Sequence, residues 1–253
     1  MSEKIGSTEF RVITEEKIEP GVFSKLVIAI PEIGLVGLLA LRQLVRSLKM
    51  KRVGFLVSDP TSVVIRFENK VPQPPIRLFA TDDILALIIE SQISPALIIP
   101  LTKAIINFID EKEISMPIML ASAPSQARLS RADNEILVIA APVGEEAINA
   151  SKNAGLRTIN NGTLAGPYAY LLTDRLIKRK SGMVLLSETF PQPIADPASA
   201  AQILKFLGKI LGKEDQIDVG ELLKHAEELK LEMQKLEKAT RSKLPHEISE
   251  LYT

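Results

Sequence analysis

The sequence predicts an α/β fold, a three-layer arrangement in which a largely parallel sheet is flanked by helices, followed by a coiled-coil-like C-terminal helix and a flexible tail. Two observations predict it. Leu26-Val27-Ile28-Ala29-Ile30 and Met183 to Glu188 are short, nearly continuous apolar runs, as expected of strands buried on both faces. Such runs alternate with helix-period segments for most of the 253 residues.

Phe10 to Ile13 reads as a first strand, and Glu19-Pro20-Gly21 as a turn. The strand at Leu26 leads into Pro31-Glu32-Ile33-Gly34-Leu35-Val36-Gly37 and then a helix with Leu38, Leu41, Val45 and Leu48 on one side. Arg52 to Ser58 is the next strand. Ser62 to Phe67 is β-branched and pairs antiparallel or extends the sheet, and Asn69 to Pro75 reads as a rigid proline-rich loop. Ile76 to Phe79 and Ile84 to Ile89 are strands, with a helix at Leu85 as the competing reading. Pro95 opens a helix to Asp110, since proline's missing N–H is harmless there. Pro117 to Ala121 and Glu135 to Ala141 are strands, and Glu145 to Asn153 is a helix stopped at Gly155. A tight turn at Asn160 to Thr163 precedes a helix from Leu164 to Lys180. After Met183 to Glu188 comes a stiff loop, Phe190 to Pro197, and a helix from Ala198 to Leu211.

The last segment has its own logic. Asp218 with Glu221 reads as a capping box. Val219, Leu222, Ala226, Leu229, Met233 and Leu236 then alternate at three and four, an a/d seam over three heptads and roughly 36 Å. Such a seam packs either on its own domain or on a second copy. Pro245 ends the helix, leaving a tail that closes on Leu251-Tyr252-Thr253. The expected division is 1–217 for the α/β domain, 218–244 for the heptad helix and 245–253 for the tail. An apolar side chain, an aromatic ring and a terminal carboxylate are three anchors of a docking peptide.

Composition narrows the chemistry. A formal net charge of zero, with no Trp, argues against a nucleic-acid surface. Leu26 to Leu41 is broken by Pro31, Glu32 and two glycines, so no membrane span is expected; the polar N-terminus is not a secretory signal, and the default is cytoplasmic. With no Cys and only His225 and His246, both outside the body, thiol chemistry and a His-based triad or metal site in the α/β domain are excluded. No cofactor is called for. Gly34 and Gly37 could form an anion-binding turn, but no Gly-Lys-Ser/Thr follows and Glu32 would oppose a phosphate, so a packing role is favoured. Asp82-Asp83 reads as a cap or a solvated pair, and Glu188, with Thr189 at a strand's end, is the best residual ligand-site candidate.

Several stretches together resemble the proteasome assembly chaperone family of the second-chaperone type, whose archaeal members include the PbaA and PbaB types. They are the Pro31 to Gly37 turn, Pro72-Gln73-Pro74-Pro75-Ile76-Arg77, Asn161 to Gly166, Leu185-Leu186-Ser187-Glu188-Thr189, Pro191 to Pro197, and the closing helix. The early turn is poorer in glycine than the family form. The resemblance implies a nucleoside-phosphorylase-like fold without that chemistry, and homo-oligomers, expected as tetramers; the heptad positions Leu222, Ala226, Leu229, Met233 and Leu236 are the candidate subunit seam, with packing on the chain's own domain as the alternative. It is the PbaB-like members, with a C-terminal hydrophobic-Tyr-any tripeptide, that Leu251-Tyr252-Thr253 matches. This implies docking into pockets between α subunits of the proteasome core particle, for activation or assembly without ATP. The competing expectation is a nucleoside- or phosphate-binding enzyme using Gly34, Gly37 and Glu188.

Overall fold

The structure, a computed structural model, describes residues 10–58, 65–68 and 70–241. Its elements in chain order are β1 (Phe10–Thr14), β2 (Lys25–Ala29), α1 (Val36–Ser47), β3 (Lys51–Ser58), β4 (Arg66–Glu68), β5 (Val71–Gln73), β6 (Ile76–Thr81), β7 (Ile84–Ile89), α2 (Pro95–Glu111), β8 (Met116–Pro124), β9 (Val138–Val143), α3 (Glu145–Asn153), β10 (Arg157–Thr158), α4 (Gly166–Ile177), β11 (Gly182–Thr189), α5 (Pro197–Leu211) and α6 (Gly220–Arg241).

Among the described residues nine strands form one sheet in the order β1-β3-β6-β7-β2-β8-β11-β9-β10. Every residue of β7 and β11 is buried, which is why both read as unbroken apolar runs. The centre, β7-β2-β8-β11, is parallel. The expectation of a largely parallel sheet needs correction, because β1, β3, β6 and β7 pair antiparallel, as do β11 and β9. For β6 and β7 the reason is local: only Asp82-Asp83 joins them, enough for a hairpin and far too short for a parallel crossover.

Helices α1, α3 and α5 and the start of α6 cover one face, through a core that includes Leu41, Leu44, Ala147, Leu204, Leu207 and Leu222. Helices α2 and α4 cover the other, through Leu101, Ile105, Ile109 and Leu171. The chain leaves β2 toward one side of the sheet and β8 toward the other, which makes the β2–β8 junction a topological switch point.

Three local readings are corrected. Val71–Gln73, read as loop, pairs with Arg66–Glu68 in a separate two-stranded ribbon. Among the described residues no third strand pairs with the ribbon, so Pro72 is tolerated without its N–H. The α4 helix begins at Gly166, not Leu164, with Pro167 in its first turn. The capping box does not close: Asp218 Oδ1 accepts the Gly220 N–H at 2.8 Å, but the Glu221 carboxylate turns to Arg46 of α1. Gln43 Nε2 donates to the Asp218 carbonyl at 2.7 Å, so α1 supplies the fastening that the local sequence does not.

Candidate functional site

The carboxyl edge of the central strands is where open α/β sheets bind ligands, and Gly34, Gly37 and Glu188 all lie near it. The turn after β2 is fixed from several sides. Gly34 has φ +79° and lies against Thr189; a Cβ there would stand 2.2 Å from Thr189 Oγ1. A Cβ on Gly37 would stand 3.0 Å from the Leu120 carbonyl. Both glycines are therefore packing glycines, letting the turn and α1 sit directly on β8 and β11. Glu32 reaches across the switch point to accept hydrogen bonds from Ser122 N–H at 2.9 Å and Ser122 Oγ at 3.1 Å. The Tyr168 hydroxyl is buried beside it, and burial first, then the Glu32 carboxylate, pushes that phenol well above its ordinary range.

Deeper along the same edge lies a network that the sequence does not announce. Arg128 Nε donates to Asp196 Oδ2 at 2.9 Å and Arg128 Nη2 to Asp196 Oδ1 at 3.0 Å, with both side chains buried. The guanidinium also reaches the Arg131 carbonyl and Asp133 and stacks 4.3 Å from the Phe190 ring. Asp196 in turn accepts from Ser199 N–H at 3.1 Å and Ser199 Oγ at 2.8 Å, capping α5, while its own N–H donates to the Gly34 carbonyl at 2.8 Å. One residue, Asp196, thus joins the loops after β8 and β11 through its carboxylate and the loop after β2 through its backbone N–H. Glu188 is buried and committed too, its carboxylate 2.5 Å from Arg131 Nε. The chain's own ion pairs lie along this edge.

Helix α6 closes this edge from outside. Ala226, Leu229 and Lys230 lie over Arg128, Phe190, Asp196, Pro197 and Ala198, leaving a void of about 10 Å³. That is too small for a ligand. Lys230 Nζ pairs with Asp133 at 2.6 Å. Of the seam positions, Leu222 and Ala226 are buried against their own domain and Leu229 is half-buried. The side chains of Met233 and Leu236 lie outside the described residues, as do Leu251, Tyr252 and Thr253. Past Lys230, Leu231 is 57% exposed, and the helix continues to Arg241, roughly 16 Å further.

The remaining sequence candidates are structural. Asp83 takes a hydrogen bond from Ser24 Oγ at 2.5 Å and Asp82 pairs with Lys213 at 2.7 Å, so the two carboxylates serve different partners. Among the described residues, no group of three or more His, Asp or Glu is placed to hold a metal, and no helix is long and apolar enough to cross a membrane. What sequence reasoning missed was Arg128 and Asp196. Asp196-Pro197 carries a faint signal, an acidic N-cap before a proline-led helix; Arg128 carries none.

Comparison with known proteins gives one family. The PAC2 family profile matches residues 26–237. An uncharacterised protein of Methanocaldococcus jannaschii is 26% identical over 209 residues, covering 82% of this chain and 83% of the relative. Among solved structures, Pyrococcus furiosus PbaA, an archaeal homologue of proteasome-assembly chaperone, superposes with a TM-score of 0.77 at 24% identity, covering 92% of this chain and 94% of that one. Pyrococcus furiosus PbaB, an archaeal proteasome activator, gives a TM-score of 0.72 at 24% identity, covering 90% and 99%. At that identity the two structures establish the shared fold.

Proposed function

The chain belongs to the PAC2 family, and from that premise we propose that it is a non-enzymatic proteasome-binding protein, an ATP-independent activator or assembly chaperone. One observation carries the non-enzymatic part: the switch-point edge is occupied by Arg128–Asp196 and Arg131–Glu188 and roofed by α6. The nucleoside- or phosphate-binding alternative would have to break a buried, two-point ion pair before any ligand entered, and Glu188 could not serve it without losing Arg131.

The binding part rests on α6 and the sequence beyond it. The helix is anchored by Leu222 and Ala226, pairs with the body at Lys230 and continues to Arg241. In this reading residues 1–217 form the platform, 218–244 the standoff helix and 245–253 the docking tail. Leu251-Tyr252-Thr253 enters pockets between neighbouring α subunits of the core particle, with Leu251 and Tyr252 packing and the Thr253 carboxylate meeting a lysine. The likeness to PbaB supports this. One tripeptide binds weakly, so a homo-oligomer, a tetramer in this proposal, presents several tails and gains avidity of ~10²–10⁴. Tails that bind the open gate more tightly than the closed one shift the gate open.

Deleting residues 251–253 is the test. Co-sedimentation with the core particle should be lost, while circular dichroism and oligomer mass stay unchanged. Retained co-sedimentation would refute the tail mechanism.

A further inference from the structure

Glu32 is a carboxylate without a counter-ion. Elsewhere in the molecule the buried acids are each met by an arginine: Asp196 by Arg128, Glu188 by Arg131 and Glu90 by Arg77. Glu32 is partly buried at the switch point, yet among the described residues no Lys, Arg or His pairs with it. Its two hydrogen bonds come from Ser122 N–H and Ser122 Oγ, and both fall on one oxygen, Oε2. The other oxygen, Oε1, takes neither. A partly buried charge that nothing neutralises is costly.

Tyr168 supplies a second unmet group beside it. It stands in the first turn of α4 and is 8% exposed, and among the described residues its buried hydroxyl has no hydrogen-bond partner of good geometry. Buried polar groups are nearly always partnered, so an exception calls for a reason. Tyr168 packs in the core of the α2/α4 face, whereas α6 roofs the Arg128–Asp196 side, so the helix that closes that network does not close this corner. Ile33 and Leu35, on either side of Gly34 in the same turn, are 43% and 38% exposed.

We propose that Glu32, Tyr168 and Ser122 bind the ammonium group of a small primary aliphatic amine. An ammonium carries one positive charge and three N–H donors and accepts nothing. Glu32 Oε1, Tyr168 Oη and Ser122 Oγ are three oxygens able to accept, and the carboxylate supplies the opposite charge. A neutral hydroxyl or amide ligand would meet the phenol but leave Glu32 uncompensated. A guanidinium binds a carboxylate best through both oxygens, and Oε2 is already taken twice by Ser122, which favours the compact ammonium. A hard divalent ion needs six or more oxygen ligands, and among the described residues no group of three acids is placed to hold one. The exposed side chains of Ile33 and Leu35 give the amine's aliphatic stem an apolar rim. This site lies apart from the tail, and nothing in it depends on proteasome binding.

Saturation-transfer NMR on n-butylammonium chloride with the full chain, at constant ionic strength, tests it. A saturable signal is expected from the wild type, at least tenfold weaker with Glu32→Gln and several-fold weaker with Tyr168→Phe. Tetramethylammonium, with the charge but no N–H, and n-butanol, with the stem but no charge, should give less than a tenth of that signal. Glu32→Gln keeps an acceptor for Ser122 and removes the uncompensated charge, so it should melt no lower than the wild type. No saturable signal, equal signal from Glu32→Gln or from tetramethylammonium, or a Glu32→Gln variant that melts several degrees lower would each overturn the proposal. Tyr168→Phe keeps the test decisive if Glu32→Gln does not fold: an unchanged signal there also overturns it. No core particle is present, so this failure and that of the tail mechanism are read separately.

Discussion

Arg128 and Asp196 lie 68 positions apart in sequence and meet through two parallel hydrogen bonds, at 2.9 and 3.0 Å, inside the carboxyl edge of the sheet. The pair ties the loops after β8 and β11 together beside the switch point. Its polar atoms are well met, by Ser199 on the acid and by Asp133 and the Arg131 carbonyl on the base. A buried ion pair is costly to break from one side even where the intact pair adds little net stability.

Replacing Asp196 by Ala should therefore destabilise the protein by about 3–5 kcal/mol, since it strands a buried guanidinium and uncaps α5. Asp196→Asn keeps an acceptor for the Ser199 N–H and should cost less. Urea unfolding checks the order; equal losses would mean that the charge is immaterial.

Gly34→Ala combines a left-handed φ of +79° with a contact of 2.2 Å to Thr189 Oγ1. We expect a loss of about 2–3 kcal/mol. Thr189→Ala removes that oxygen and should make the second substitution less harmful, because a large coupling is expected between touching residues. A double-mutant cycle measures it; strict additivity would show that the strain is purely in the backbone.

Leu222 is buried in the main core cluster although it lies on the expected oligomer seam. Leu222→Ala should cost about 2–4 kcal/mol of unfolding free energy. The loss should not vary with protein concentration, as it would for a residue buried only between subunits. Amide exchange along α5 and α6 should rise together.

The layered fold was readable because burial on both faces leaves a plain mark, as at Ile84–Ile89 and Gly182–Thr189. The packing role of Gly34 and Gly37 was readable too, from their place between a strand and a helix. The β4–β5 ribbon was not, because Pro72 argues against a strand unless the strand lacks a neighbour, and that is a property of the tertiary structure. Arg128–Asp196 was not, because an ion pair between loops has no period and no fixed spacing. Glu221 misled for a related reason: the spacing suits a capping box, but Arg46 on another helix competes for the same carboxylate. The docking role proposed for Leu251-Tyr252-Thr253 rests on the sequence, since these residues lie outside the described ones.

A pH effect should report on the far end of α4. Asp110 of α2 meets Arg175 at 3.0 Å, Lys180 at 3.3 Å and also Lys178, and Arg175 is fully buried. Burial alone would raise the Asp110 pKa, but these three cations outweigh it and hold the carboxyl at about 2, below its ordinary 3.8. A carboxyl depressed on folding adds stability that is complete above the unfolded value and is lost as pH falls through the folded one. The window here runs from about pH 4 down to about pH 2. Solvent screening of a partly exposed group reduces the contribution to on the order of 1 kcal/mol. Asp110→Asn should therefore lower stability at neutral pH and flatten the acid limb of the stability curve between pH 4 and 2. Chemical unfolding of both proteins across that range is the measurement. An acid limb equally steep in the variant would place the proton uptake at other carboxylates, with the paired Glu90 as the next to replace.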